Sequence, residues 1–280
     1  MIIDFHTHIV PPWLKERRSD YLGQDPCFDL LYSQPKAKLA TAEELIASMD
    51  GAGVDVSVAL NIGWVSHQLC VSTNDYILNS VARYPKRLVG FCTIQPGAGE
   101  AALRELERCV QGGARGVGEL RPDIQRFDIS DLGLMEILAS TVKQHRLIVL
   151  THSSEPVGHR YPGKGKVTPE VLERLVPVFQ GTNVVCAHWG GGLPFYWLMP
   201  EVAQAFQNVF FDTAATRFLY SPSIYCRVAE LVGPDRILMG SDYPLIAQNR
   251  QIQEIRSLDS PEELKERVLG ANAQRLLFPA

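Results

Sequence analysis

Ile2-Ile3-Asp4-Phe5-His6-Thr7-His8 opens the chain and sets an apolar, β-rich run against two histidines two residues apart. Side chains alternate along a strand, so His6 and His8 point to the same side. The first strand is read as Ile2–Phe5. Seven further apolar runs follow: Val54–Leu60, Leu88–Thr93, Ala114–Leu120, Leu147–Thr151, Val184–Ala187, Val209–Asp212 and Ile237–Ser241. Continuous apolar runs are what parallel strands covered on both faces require. Helical patterns lie between them. Thr41 with Glu44 forms a capping box before Leu45, Ile46 and Met49. Gly99–Cys109 carries Leu103 and Leu106 at helical spacing, Asp131 leads into Leu134 and Leu138, and Thr168-Pro169 opens a helix with proline at its first position. Pro261–Leu269 and Ala271–Leu277 close the chain. Strict alternation of strand and helix implies right-handed parallel crossovers. Eight such units predict an α/β fold, a (β/α)8 TIM barrel slightly elaborated at the loops after strands 1 and 5. An open doubly wound sheet is disfavoured, because no G-x-G-x-x-G follows a strand.

The 280 residues suit one such barrel spanning 1–280. With 46% hydrophobic and 21% charged residues, the composition is that of a chain with a large core. A formal net charge of -4 excludes nucleic acid as an expected partner on charge alone. Cys27, Cys70, Cys92, Cys109, Cys186 and Cys226 form no C-x-x-C pair and read as reduced residues of a cytoplasmic protein. MIIDFHTHIV lacks the features of a signal peptide, and no stretch approaches the roughly 20 apolar residues of a membrane span.

Polar residues collect where the predicted strands end. Strand one ends in His6-Thr7-His8, strand four in Gly118-Glu119, strand five in Thr151-His152, strand six in Ala187-His188 and strand eight in Ser241-Asp242. Four of the seven histidines therefore fall on the side where barrels place their active sites. Any one of these is ordinarily a hydrogen-bonded structural residue, but charged groups are expensive to bury unless paired or bound to metal. As a set, imidazole and carboxylate suit a divalent cation. Zinc is expected first, with Mn2+, Fe2+ or Ni2+ as alternatives, in one or two ions.

These residues carry a resemblance. Asp4-Phe5-His6-Thr7-His8, His152, Ala187-His188-Trp189-Gly190-Gly191, Gly240-Ser241-Asp242-Tyr243-Pro244 and Asn272-Ala273-Gln274-Arg275-Leu276 together resemble the amidohydrolase superfamily over essentially the whole chain. The branch most similar is the amidohydrolase-2 group, which holds hydrolases and aminocarboxymuconate-semialdehyde-type decarboxylases. The resemblance implies that His6, His8, His152 and Asp242 hold metal, with Asp242 and His188 catalytic. Gly116-Val117-Gly118-Glu119 resembles the segment supplying a bridging carboxylate in TatD-type two-metal hydrolases. On that pattern His6, His8 and Asp242 hold one ion, His152 and His188 the other, and Glu119 bridges. A salt bridge from Glu119 to Arg121 is the alternative. No lysine stands on strand four to act as a carboxylated bridge.

A divalent ion lowers the pKa of bound water to about 7, so a hydrolase of a small, carboxylate-bearing amide, ester or lactone is expected first. A nonoxidative decarboxylase or hydratase of an aromatic or unsaturated acid is the alternative, and a silent ligand-binding barrel the third reading. Arg121, Arg160, Tyr161, Lys164, Trp189 and Arg217 are the candidate substrate contacts, several of them in the donor-rich loop Ser153–Val167. Trp13, Trp64 and Tyr243 are further candidates to wall a pocket, although ordinary packing explains each. His67 and His145 receive no role. Gly190-Gly191-Gly192 lacks the Lys-Ser/Thr of a P-loop. The expected partner is a small molecule, without membrane, and the resemblance makes a homodimer plausible.

Overall fold

The computed structural model describes residues 1–279. Its strands are β1 (Ile3–His8), β2 (Val56–Leu60), β3 (Leu88–Cys92), β4 (Gly116–Leu120), β5 (Ile148–Thr151), β6 (Val184–Cys186), β7 (Val209–Asp212) and β8 (Ile237–Leu238). Each pairs in parallel with the next in sequence order. The seam between β8 and β1 closes through single backbone bonds. Phe5 N–H donates to Met239 O at 2.7 Å, Asp242 N–H to His6 O at 2.9 Å and His8 N–H to Tyr243 O at 2.7 Å. The chain is thus the (β/α)8 barrel its pattern predicts.

Four strand ends differ from the sequence reading: β1 runs on to His8 rather than Phe5, β3 stops at Cys92 rather than Thr93, and β6 and β8 stop early. β8 stops at Leu238 rather than Ser241, and beyond it Asp242 adopts a left-handed φ of 58°. β6 stops at Cys186, and the chain turns through His188 and Trp189 at φ 53° and 58°. Such conformations cost ~1–3 kcal/mol each in non-glycine residues and persist only where surrounding contacts impose them.

Two apolar layers hold the barrel. Ile3, Phe5, Val58, Phe91, Leu150 and Val185 belong to an inner cluster that takes in Ala273 and Leu277 of the last helix. Phe5 meets Phe91 edge-on with centroids 5.8 Å apart. The opposite faces of the strands, with Val117, Val149, Phe211 and Met239, pack against Leu45, Leu106 and Ile252 of the surrounding helices. Full burial of each such side chain contributes roughly 1.5–3 kcal/mol.

A register shift between Asp4 and Thr7 decides what the mouth contains. Ile3 and Phe5 face inward, so unbroken alternation would send His6 outward with Asp4. The shift re-phases the strand. Asp4 keeps its outward place against Gln248, while His6 and His8 turn into the mouth. β4 carries a matching shift between Val117 and Leu120, and there Glu119 gains the inward position while Leu120 stays in the outer layer.

The segment expected to be irregular from Pro11 to Ala40 contains three short helices, Pro12–Glu16, Arg18–Tyr21 and Pro26–Tyr32. Asp25 caps the third by accepting from Cys27 N–H at 2.9 Å and Phe28 N–H at 3.3 Å. Phe28, Leu14, Cys27 and Trp64 form a separate apolar nucleus, with Phe28 stacked on Trp64 at 5.5 Å. Trp64 is therefore a packing residue, its indole N–H donating to Asn61 Oδ1 at 2.6 Å. The loop Ser153–Val167 has no helix or strand, and side chains pin it. Lys166 N–H donates to Asp123 Oδ2 and Gly165 N–H to Ser154 Oγ. The expected capping box at Thr41 and Glu44 is present. Among the described residues, no helix is long and apolar enough to cross a membrane.

Candidate metal centre

Six side chains from β1, β4 and the turns after β5, β6 and β8 converge at the C-terminal rim. His6 Nε2 and His8 Nε2 stand 3.0 Å apart. Asp242 Oδ1 lies 3.8 Å from the first and 3.3 Å from the second. On the far side, Glu119 Oε1 lies 2.7 Å from His152 Nδ1 and 3.7 Å from His188 Nε2. Candidate ligand atoms of His6, His8 and Glu119 lie within 4.8 Å of one another, as do those of Glu119, His152 and His188. Glu119 belongs to both groups.

The arrangement fits a cation. Two imidazole lone pairs cannot face each other at 3.0 Å without a proton or a metal between them. The ring nitrogens turned away from the centre are mostly held. His6 Nδ1–H donates to Asp212 Oδ2 at 2.8 Å, and His188 Nδ1–H to Ala214 O at 3.2 Å. His152 Nε2 pairs with Ser154 Oγ at 3.0 Å. Such outer partners fix the tautomer and the ring plane, which is how metal-binding histidines are ordinarily supported. His8 Nδ1 alone is buried without a partner. His8, His188 and Asp242 keep slight exposure, so the centre is reached from their side.

The charges are strongly coupled. Burial alone would lower the pKa of His6, but Asp212, by charge and hydrogen bond, together with Asp242 raises it to about 10. Burial and the nearby Arg121 charge push His152 down to about 4, leaving it neutral. For Glu119, burial is outweighed by His152, His188 and His6, which hold its carboxyl well below the usual range. Asp242 is likewise lowered against its burial by His8, His6 and His188.

A family model described as amidohydrolase matches residues 3–278. The chain belongs to the amidohydrolase-2 family. A relative of this family member is the 2-amino-3-carboxymuconate-6-semialdehyde decarboxylase of Dictyostelium discoideum, 23% identical, with 98% of this chain and 91% of that protein covered. The structure of 5-carboxyvanillate decarboxylase from Sphingomonas paucimobilis superposes with a TM-score of 0.79 at 19% identity, covering 99% and 98% of the two chains. The 5-carboxyvanillate decarboxylase of Novosphingobium aromaticivorans, a D314N mutant with bound manganese, gives 0.79 at 16% identity, over 99% and 97%. At these identities the structural likeness speaks for the barrel.

The other candidate contacts in this family member are dispersed. Arg121 is fully buried. Its Nη2 donates to Gly163 O at 3.0 Å and lies 3.7 Å from Asp123 Oδ2, while Nε and Nη1 have no partner. Glu119 makes its contacts with histidines, so the alternative ion pair with Arg121 is not the arrangement found. Tyr161 OH donates to Glu155 Oε2 at 2.9 Å. Lys164 Nζ spends its donors on the carbonyls of Val157 and His159, fastening its own loop. Arg160 and Arg217 are exposed. The structure places Trp189 elsewhere than the pocket wall expected: it is fully buried in the outer layer, edge-on to Tyr225, with its indole N–H donating to Thr216 Oγ1 at 2.8 Å.

Three supporting residues escaped the sequence reading. Asp212 accepts from His6 Nδ1–H, from His188 N–H at 2.9 Å and from Ala214 N–H at 3.0 Å. Its signal was an aspartate closing the seventh apolar run, the same position that marked the other ligands. Asp4 accepts from Ser241 N–H at 2.9 Å, Ser241 Oγ–H at 2.6 Å and Gln248 Nε2–H at 2.8 Å, fixing the turn that presents Asp242. Ser154 joins His152 to the loop above it, and nothing in its sequence context marks it.

Proposed function

We propose that this chain is a metal-dependent nonoxidative decarboxylase of a small aromatic or unsaturated carboxylic acid. The observation that carries the reading is the pairing of an imidazole–carboxylate centre with relatives named as decarboxylases over nearly the full chain. The sequence placed a hydrolase first and a decarboxylase second. The named relatives favour the second.

His6, His8 and Asp242 would hold a divalent cation, with Glu119, His152 and His188 offering a further set. Manganese suits this mixed set as well as zinc does. A bound cation supplies Lewis acidity, withdrawing electron density from a coordinated substrate oxygen. The chain's own groups supply the rest. Arg121, a buried cation whose Nε and Nη1 are unpartnered, gives the substrate carboxylate a partner. His188, tied through Nδ1 to Ala214 O, presents Nε2 to the pocket and delivers a proton to the carbon bearing the carboxylate. The C–C bond then breaks, its electron pair stays with that carbon, and carbon dioxide leaves. The shielding of the centre keeps water from competing.

A two-ion hydrolase is the second reading, favoured by the place of Glu119 between two histidine pairs. One assay separates them. Holoenzyme loaded with Mn2+ is given a panel of hydroxylated benzoates, carboxyvanillates and matched lactones in D2O. Carbon dioxide release with deuterium at the vacated carbon is expected. Lactone hydrolysis without carbon dioxide would overturn the decarboxylase reading.

A further inference from the structure

We propose a second ligand site, for a small multivalent oxyanion, on the opposite face of the barrel. A cavity of about 630 Å³ opens where β4, β5 and β6 begin. Arg115, Lys143, His145 and Arg146 line it, and no Asp or Glu does. The chain as a whole is acidic, at net charge -4, so this concentration of positive charge is local.

Arg115, Lys143 and Arg146 carry the charge, and it is unspent, as is the His145 ring. Among the described residues, none of the four takes part in an ion pair, and none of their side chains donates a hydrogen bond. The helix that leads into the cavity, Glu100–Gln111, behaves differently. Its Arg104 meets Glu100 at 2.7 Å, and its Arg108 meets Asp75 at 2.8 Å and Glu105 at 2.7 Å. Like charges gathered without counter-charge repel one another and gain from an anion. The backbone helps to gather them. Arg146 sits at a left-handed φ of 52°, and its N–H donates to Lys143 O at 3.1 Å, folding Lys143, His145 and Arg146 into one tight turn.

The floor is apolar. Leu147, Ile148 and Leu277 are buried there. A cavity of this size, with a greasy floor and a cationic rim, is of the dimensions that hold small organic ligands. The ligand class is therefore a compact molecule carrying at least two negative charges on phosphate or carboxylate groups, with a short apolar body. A strand of five residues separates this face from the metal centre by about 15 Å, so the two sites do not share ligands.

The test is titration calorimetry of inorganic pyrophosphate into the metal-loaded enzyme at about 0.1 M salt, where long-range attraction is screened. One site per chain is expected. The Arg115→Gln/Arg146→Gln double variant should bind roughly tenfold more weakly or worse, with metal content and Tm unchanged. Equal binding by the double variant would place the anion elsewhere, the metal centre included, and overturn the proposal. So would absence of binding to the unaltered chain at millimolar pyrophosphate. Single Arg115→Gln and Lys143→Gln variants, each at an exposed side chain, repeat the test if the double variant does not fold.

Discussion

The two halves of the rim centre are built from similar ligands but supported by different chemistry. In the first half, His6 and the turn that carries Asp242 rest on buried carboxylates, while His8 Nδ1 has no partner. Asp212 holds the His6 ring, and Asp4 holds the turn that carries Asp242. His152 and His188 rest on neutral groups, the Ser154 hydroxyl and the Ala214 carbonyl, with the Arg121 charge nearby. A carboxylate behind an imidazole makes it more basic and more attractive to a proton or a metal, whereas a neutral partner fixes direction and adds little charge. The first half is thus a strong cation site at which His6 must shed a proton, and the second a weaker one in which His152 is already neutral.

The largest effects should come from the first half. In Asp242→Ala or His6→Ala, bound divalent metal and turnover should both fall to background, read by metal analysis and by product release. Retention of both would break the comparison. Glu119→Gln should remove the ligand common to the two halves. We expect the cation at His6, His8 and Asp242 to be retained, and any second ion at His152 and His188, which the hydrolase reading requires, to be lost, measured as metal per chain. Asp212→Asn keeps the shape but removes the charge, and metal affinity should drop about 10–100-fold in a chelator competition.

Proton competition sharpens the contrast. His6 stays protonated in the metal-free protein up to about 10, so apparent metal affinity should climb with pH from neutrality, about tenfold per unit if one proton is displaced. The same raised pKa stabilises the metal-free fold fully below the ordinary value of 6.5, and that contribution is lost as pH rises through about 10. His152, lowered to about 4, contributes in the opposite sense. Its share is complete above 6.5 and is lost as pH falls towards 4. Tm of the metal-free protein across this range is the check. The smallest effect belongs to Ser154→Ala, which should weaken metal binding by about tenfold or less, because a hydroxyl fixes the ring's direction without adding charge.

Much of this was legible in the chain. Eight apolar runs gave the barrel, and the polar residues closing five of them gave the candidate ligands, because a strand's end is where its side chains leave the core. What the pattern did not carry was phase. Period-two counting places Phe5 inside and would expel His6, and only the register shift between Asp4 and Thr7 reconciles the two. Shifts of this kind depend on the neighbouring strand, not on local sequence. Support was likewise hidden. Asp4 looks like one more residue of the histidine motif, yet it contacts Ser241 and Gln248, more than two hundred positions away. Trp189 looked like a pocket wall because it follows His188, but a left-handed backbone at both residues turns the indole outward.

The helical segment between β1 and the capping box at Thr41 shares its apolar nucleus with the chain after β2, Phe28 packing against Trp64 beside Ile62 and Cys70. Asp25 ties the two stretches further by accepting from Val65 N–H at 2.8 Å and Ser66 N–H at 3.0 Å, so a change in one must be matched in the other. Anyone grafting this segment onto another barrel would have to carry Trp64 and its neighbours with it, or leave Phe28 without its stacking partner.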